Sequence, residues 1–140
     1  MLTVKEKGIM LYIIDYCKRI EEKTVGITRQ TLDEDKDILE IVCFNILQIG
    51  ELAKKLEASF LKKYDKMPWN KIKGMRDVVA HGYGTINLDK VWKVISQEVE
   101  PLKEYCESIL REDDNLIRKI KEGEKEDISS MSTYSSKKEF

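Results

Sequence analysis

The sequence predicts an all-α fold, an antiparallel bundle of about four to five helices in a single domain. Three observations favour this class. The 140 residues include only 2 Pro and 7 Gly, too few for the many tight turns of an all-β protein. Charged residues make up 36% of the chain beside 41% hydrophobic residues, a mixture typical of amphipathic helices. Apolar side chains also recur every three or four positions over long stretches.

The N-terminal half predicts two long helices. Apolar residues at a spacing of three and four predict the first helix over about residues 3–23. The segment Thr24–Thr28 breaks this pattern with β-branched residues and a glycine. Asp33 or Asp35 then provides an N-cap for a second helix, predicted over about residues 34–60.

The C-terminal half predicts two more helices. Pro68 suits the first turn of a short helix that runs to about Ala80. Asn87 caps a last long helix with an apolar seven-residue repeat from Leu88 to Ile109. Pro101 lies inside that repeat, so we expect a kink near Gln97.

Composition divides the chain into two regions. Residues 1–115 carry the helical repeats and form the predicted domain. Residues 116–140 form a charged, Ser-rich extension that includes the segment Ser129–Ser136. Such a segment buries too little apolar surface to offset its conformational entropy. We therefore expect a frayed or disordered, flexible polar C-terminal tail.

Several classes of protein are disfavoured. The apolar runs are shorter than the roughly 18 residues that a membrane span needs, and no signal-peptide cleavage site follows the first of them. We therefore expect a cytoplasmic protein without membrane association. Cys17, Cys43 and Cys106 are widely spaced among apolar residues, which indicates buried packing. With one histidine and no paired thiols, the sequence predicts neither a metal nor another cofactor.

Charge is unevenly distributed along the chain. The formal net charge is −1. Residues 52–81, however, contain eight Lys and Arg side chains against three Asp and Glu, a local net charge of +5. This basic segment is either a solvated face or a surface that attracts phosphates.

The segment from Arg76 to Tyr83 carries the chemistry. Arg76 offers a fork of donors matched to phosphate oxygens, and His81 can transfer protons near neutral pH. Asp77 lies four residues before His81, on the same face of a helix, where it can orient the imidazole. This set suits cleavage of an RNA phosphodiester. The alternative is structural, with Arg76 paired to Asp77 or Glu51 and His81 at a helix end.

The spacing of the motif also suggests how a site is assembled. Arg76 and His81 are five residues apart, which places them about 140° apart around a regular helix. They are poorly placed for one another within one chain. A composite site built by two copies of the chain in a C2 homodimer is the simplest closed solution.

The pattern Arg76-x-x-x-x-His81-x-Tyr83 resembles the signature of the HEPN superfamily, in particular its HepT-like toxin branch. The resemblance covers roughly residues 5–112. It includes the block Asn45–Ala53 around Gly50 and Glu51, the block Met67–Met75 with its Pro-Trp pair, and Leu88–Trp92.

This resemblance implies a fold and a function. It implies an all-α bundle of the HEPN type that dimerises, and a metal-independent endoribonuclease in which Arg76, His81 and Asp77 carry catalysis. It also implies a toxin–antitoxin system of the HepT/MntA type, similar to type VII. The partner would be a minimal nucleotidyltransferase, MntA-like, that transfers AMP from ATP to Tyr83.

Other residues are assigned from their positions. Lys71 and Lys73 in the basic segment are candidates for RNA binding. Trp69 and Trp92 are expected in the core or at the dimer contact. Gly50 is expected to let two helices approach, which would bring Glu51 within reach of the motif. The alternative function is a non-catalytic HEPN adaptor that binds the nucleotidyltransferase.

Overall fold

The computed structural model describes residues 1–79 and 86–139, with side chains up to residue 124. Every regular element in these residues is a helix, which confirms the predicted all-α class. None of the helices described is both long enough and apolar enough to cross a membrane.

The first helix, α1 (Val4–Lys23), matches its prediction within a residue. The Thr3 hydroxyl accepts a hydrogen bond from the backbone N–H of Glu6, and the Glu6 carboxylate accepts one from the N–H of Thr3, both at 3.0 Å. This reciprocal capping box satisfies two backbone donors at the helix start. The predicted apolar stripe from Met10 to Ile20 is buried.

The second predicted helix is divided at Lys55, and a short helix that the sequence did not predict precedes it. A short helix, α2 (Arg29–Glu34), precedes α3 (Lys36–Lys54), and Asp35 caps α3 through the N–H groups of Asp37 and Ile38. The prediction that this helix continues to residue 60 is wrong, because the chain turns at Lys55 and α4 (Ala58–Lys63) follows. Leu56 and Phe60 are both buried. Apolar residues continue at a helical spacing through this turn, so their periodicity alone does not predict that α3 ends at Lys54.

The third predicted helix is also interrupted. It consists of α5 (Trp69–Lys73) and α6 (Met75–Val79), separated by Gly74. Gly74 is the C-cap of α5, and its carbonyl accepts from the N–H of Asp77, three residues on, at 3.0 Å, so the regular α-helical bonding is interrupted there. Ile72 and Met75 are nonetheless both buried.

The last predicted helix begins as expected. Asn87 caps α7 (Leu88–Lys93) by accepting hydrogen bonds from the N–H groups of Asp89 and Lys90. A π-helical turn, Val94–Glu98, includes the position near Gln97 where a kink was predicted, and in it the N–H of Val99 bonds to the carbonyl of Val94. The kink itself stays a prediction.

The final helix, α8, spans Val99–Glu139. Its predicted stripe of Val99, Leu102, Cys106 and Ile109 is buried. The helix continues past residue 115, and almost all of residues 114–124 are exposed. The division of the chain at residue 115 stays a prediction.

The three long helices form the body of the bundle, with α1 packed against both α3 and α8. Two polar contacts show that α1 and α8 run antiparallel. The backbone N–H of Leu2 donates to Asp113 Oδ1 at 2.7 Å, and Lys103 pairs with Glu21 at 2.7 Å. Helices α5 and α6 pack against α3, so α3 is the element that positions Arg76.

Candidate active site

The backbone of α6 lies directly against α3. A Cβ atom added at Gly50 would lie 2.8 Å from the backbone nitrogen of Arg76 and 3.2 Å from its Cβ. Side-chain atoms essentially never approach backbone that closely, so only glycine permits this separation of the two helices. The expectation that Gly50 allows a close helix contact is confirmed.

Arg76 forms an ion pair with the residue next to that glycine. Its Nε lies 2.5 Å from Glu51 Oε1, and the two side chains are 44% and 43% exposed. Exposed pairs of this kind contribute only about 0–1 kcal/mol to folding. The main consequence of the contact is therefore orientation, since the guanidinium is held at a defined place on the surface.

This ion pair also distinguishes between the two carboxylates, Asp77 and Glu51, that were predicted as alternative partners of Arg76. The carboxylate contacted is that of Glu51, 25 positions earlier in the chain, rather than that of its neighbour Asp77. A guanidinium carries five N–H donors, so one carboxylate contact does not exhaust its capacity for phosphate oxygens.

Asp77 lies beside Arg76 on α6, with its side chain exposed. The other two residues of the predicted motif, His81 and Tyr83, lie outside the described residues. The catalytic role of Arg76, Asp77 and His81 and the modification of Tyr83 stay predictions.

The two candidate RNA-binding lysines lie in the last turn of α5. Lys71 is half exposed and pairs with Glu98 of the π-helical turn at 2.6 Å. Lys73 is partly buried. Lys71 therefore already has a carboxylate partner, which an RNA phosphate would have to compete with.

The prediction that Trp69 and Trp92 pack in the core is confirmed. Trp69 is buried and donates from Nε1 to the carbonyl of Tyr64 at 2.7 Å. Its ring contacts Phe60 and Tyr105 edge-on. Trp92 packs against the same core from a partly buried position.

All three cysteines are buried and unbridged, as expected. Burial raises the pKa of the Cys17 thiol to about 12 and that of Cys43 to about 11. Burial also raises the pKa of Cys106. These thiols are therefore protonated and unreactive at neutral pH. Within the residues that the structure describes, no group of three or more His, Cys, Asp or Glu side chains is arranged to hold a metal ion.

Comparison with known protein families identifies the family of this chain. The profile of the family described as "Ribonuclease HepT-like" matches residues 13–109, which include the α3–α6 contact and the whole Arg76–Tyr83 motif. The chain belongs to the HepT-like ribonuclease family. The predicted resemblance is thereby confirmed.

Individual relatives of this HepT-like chain agree. "Putative RNase TTE0752" of Caldanaerobacter subterraneus subsp. tengcongensis is 29% identical over 102 residues, covering 73% of this chain and 91% of the relative. "Putative RNase MJ0127" of Methanocaldococcus jannaschii is 29% identical over 118 residues, 81% of this chain and 98% of the relative. "Probable ribonuclease HepT" of Thermococcus cleftensis is 27% identical over 97 residues, 69% and 88% of the two chains. No solved structure matches.

Sequence reasoning missed one group of charged residues near the motif. Lys90, Lys93 and Glu98 line the same cleft as Lys71, although 19 or more positions separate them from it. The one available signal was the spacing of three between Lys90 and Lys93, which places both on one face of α7.

Proposed function

We propose that this HepT-like chain is a metal-independent endoribonuclease that acts in the cytoplasm as the toxin of a toxin–antitoxin pair. The observation that carries the proposal is the arrangement at α3 and α6, where Gly50 and Glu51 hold Arg76 at the surface. A guanidinium fixed in this way is preorganised to meet a phosphate.

The motif supplies the groups for one reaction. The ribose 2′-oxygen attacks the adjacent phosphorus, the bond from phosphorus to the 5′-oxygen breaks, and a 2′,3′-cyclic phosphate and a 5′-hydroxyl result. His81 removes the 2′-hydroxyl proton or protonates the leaving oxygen. Arg76 stabilises the charge that develops on the phosphate oxygens, and Asp77 orients the imidazole. No step requires a metal ion.

The proposed control of this activity is covalent. An MntA-like nucleotidyltransferase antitoxin binds ATP, the Tyr83 phenol oxygen bonds to the α-phosphorus, and pyrophosphate leaves. The modified side chain carries a negative charge and a bulky adenosine two residues from His81. Both the charge and the volume oppose binding of an RNA phosphate at that place.

Replacing Tyr83 by Phe tests the control step. The wild-type chain is expected to gain AMP mass units when incubated with the cognate nucleotidyltransferase and ATP, and to lose RNA cleavage. Tyr83→Phe lacks the acceptor oxygen, so it should cleave RNA and resist neutralisation. Intact-mass and peptide mass spectrometry report the site, and His81→Ala is the control that still accepts AMP. Added mass on another residue, or neutralisation of Tyr83→Phe, would contradict this model.

We also propose that the chain acts as a homodimer, in which two motifs form a shared site. Large apolar side chains are exposed on α1 and α3, where a second copy would cover them. They are Leu11, Tyr12, Ile41 and Phe44.

Phe44→Glu tests this assembly. Phe44 is 51% exposed, so a carboxylate there is tolerated by the monomer but is desolvated in the dimer contact. We expect wild type to sediment as a dimer at micromolar concentration and Phe44→Glu as a monomer with weakened RNA cleavage. Val25→Glu, at a residue that is 80% exposed, is the matched control and should stay dimeric. A monomeric wild type would rule out the composite site.

A further inference from the structure

A second charged feature lies beside α6, where Met75 and Val78 line a cleft. It is a cleft of about 320 Å³ between helices α5 and α6 on one side and α7 with the π-helical turn on the other. We call it the lysine cleft. It is lined by Lys71, Gly74, Met75, Val78, Lys90, Lys93, Val94 and Glu98.

The lining has two chemical parts. Met75 and Val94 are buried and Val78 is partly buried, so they form an apolar floor. Lys90 and Lys93 are exposed at the rim, one turn apart on α7. With Lys71 and Glu98 included, three cations face one carboxylate. The cleft therefore has a net positive charge over an apolar surface, which suits a nucleotide with its phosphate at the rim and its sugar or base on the floor.

Glu98 sets how much of this charge is available. Its side chain is only 12% exposed, and its carboxylate lies 2.6 Å from the ammonium of Lys71. It neutralises Lys71 and also repels any phosphate that enters. The π-helical turn Val94–Glu98 brings Val94 and Glu98 to the same cleft, and turns of this type occur frequently at functional sites.

The lysine cleft and the motif share one short helix. Met75 and Val78 of α6 line the cleft, while Arg76 of the same helix contacts α3. A helix is about 10 Å across, so a single RNA strand can reach from Arg76 to the cleft within a short run of nucleotides.

We propose that the lysine cleft binds a backbone phosphate of the RNA strand next to the cleaved linkage, through Lys90 and Lys93, with Glu98 limiting its strength by holding Lys71. This inference rests on the proposed ribonuclease function and deepens it. It assigns RNA binding to α7, whereas the sequence pointed to Lys71 and Lys73 of α5.

The first test removes the two rim charges. Binding of a 2′-O-methylated, non-cleavable RNA oligonucleotide to the full chain is measured by fluorescence anisotropy over a range of salt concentrations. Each phosphate contact with a single strand contributes about 0.7 to the slope of log K against log salt. Because Lys90 and Lys93 bind one phosphate together, Lys90→Gln/Lys93→Gln should lower the slope by about 0.7 and weaken binding about tenfold at low salt. On cleavable RNA, its KM should rise with kcat within about twofold of wild type.

The matched control removes two exposed lysines of α4, which belong to the basic segment but do not line the cleft. Lys62→Gln/Lys63→Gln has the same change in net charge and should bind the oligonucleotide within about twofold of wild type. An equal loss in both double variants would mean that a diffuse field attracts RNA, and would overturn the cleft assignment.

The second test predicts a gain. Glu98→Gln removes the carboxylate, releases Lys71 and should tighten binding about threefold, with a steeper salt dependence. Thermal unfolding of each variant reports whether the fold is kept. Weaker or unchanged binding by a folded Glu98→Gln would contradict the proposal, as would a wild type that binds no RNA.

These outcomes distinguish a failure of the lysine cleft from a failure of the proposed ribonuclease function. If wild type binds the oligonucleotide through the cleft but cleaves no RNA, the cleft stands and the toxin function fails. If wild type cleaves RNA and Lys90→Gln/Lys93→Gln does so with unchanged KM and affinity, the cleft fails and the proposed function stands.

Discussion

His81→Ala is expected to lower the rate of RNA cleavage by about 10²–10⁴-fold, the usual contribution of a general acid or base. Arg76→Ala should cause a comparable loss because the developing phosphate charge is left without its guanidinium. Arg76→Lys keeps the charge but not the planar fork, so we expect only partial recovery. Gel analysis of a labelled RNA measures the rates, and the products should end in a 2′,3′-cyclic phosphate.

The same assay tests the role of metal ions. Wild-type cleavage should persist in EDTA, because His81 and Arg76 supply both the proton transfer and the charge stabilisation. Activity that is lost on chelation and restored by magnesium would contradict this mechanism. A wild type that binds its nucleotidyltransferase but cleaves no RNA would favour the adaptor function instead.

Gly50→Ala is expected to destabilise the protein and to impair cleavage together. The new methyl group would meet the Arg76 backbone at 2.8 Å, so α3 and α6 must separate. Overpacking of this kind costs about 1–3 kcal/mol. Misplacement of the guanidinium should also lower the cleavage rate on the order of 10- to 100-fold.

Gly8→Ala is the matched control. It makes the same substitution inside α1, where an added Cβ meets nothing within 4 Å. Alanine favours a helix over glycine by about 0.5–1 kcal/mol, so this variant should be more stable and fully active. Urea unfolding at a fixed chain concentration measures both free energies of unfolding. Equal stability changes in the two variants would refute the proposed close contact at Gly50.

The contact of Glu51 with Arg76 shows which features of the site could be predicted from the sequence and which could not. The residue types of the motif predicted phosphate chemistry, and Gly50 predicted a close helix approach. The choice of Glu51 rather than Asp77 as the partner of Arg76 depends on how α6 packs against α3. Glu51 and Arg76 lie on different helices and are 25 positions apart in the chain. Only the packed helices bring the two charges to 2.5 Å.

The sequence by itself determined the helical class, the cap at Asn87, and the buried stripes of α1 and α8. These features depend on interactions between residues at most four positions apart, which a linear pattern records directly. The tertiary structure decided where the second and third predicted helices break, at Lys55 and at Gly74. It also decided which lysines share a cleft with Glu98. Such choices follow from how several helices bury their apolar faces together, a collective energy that no local spacing contains.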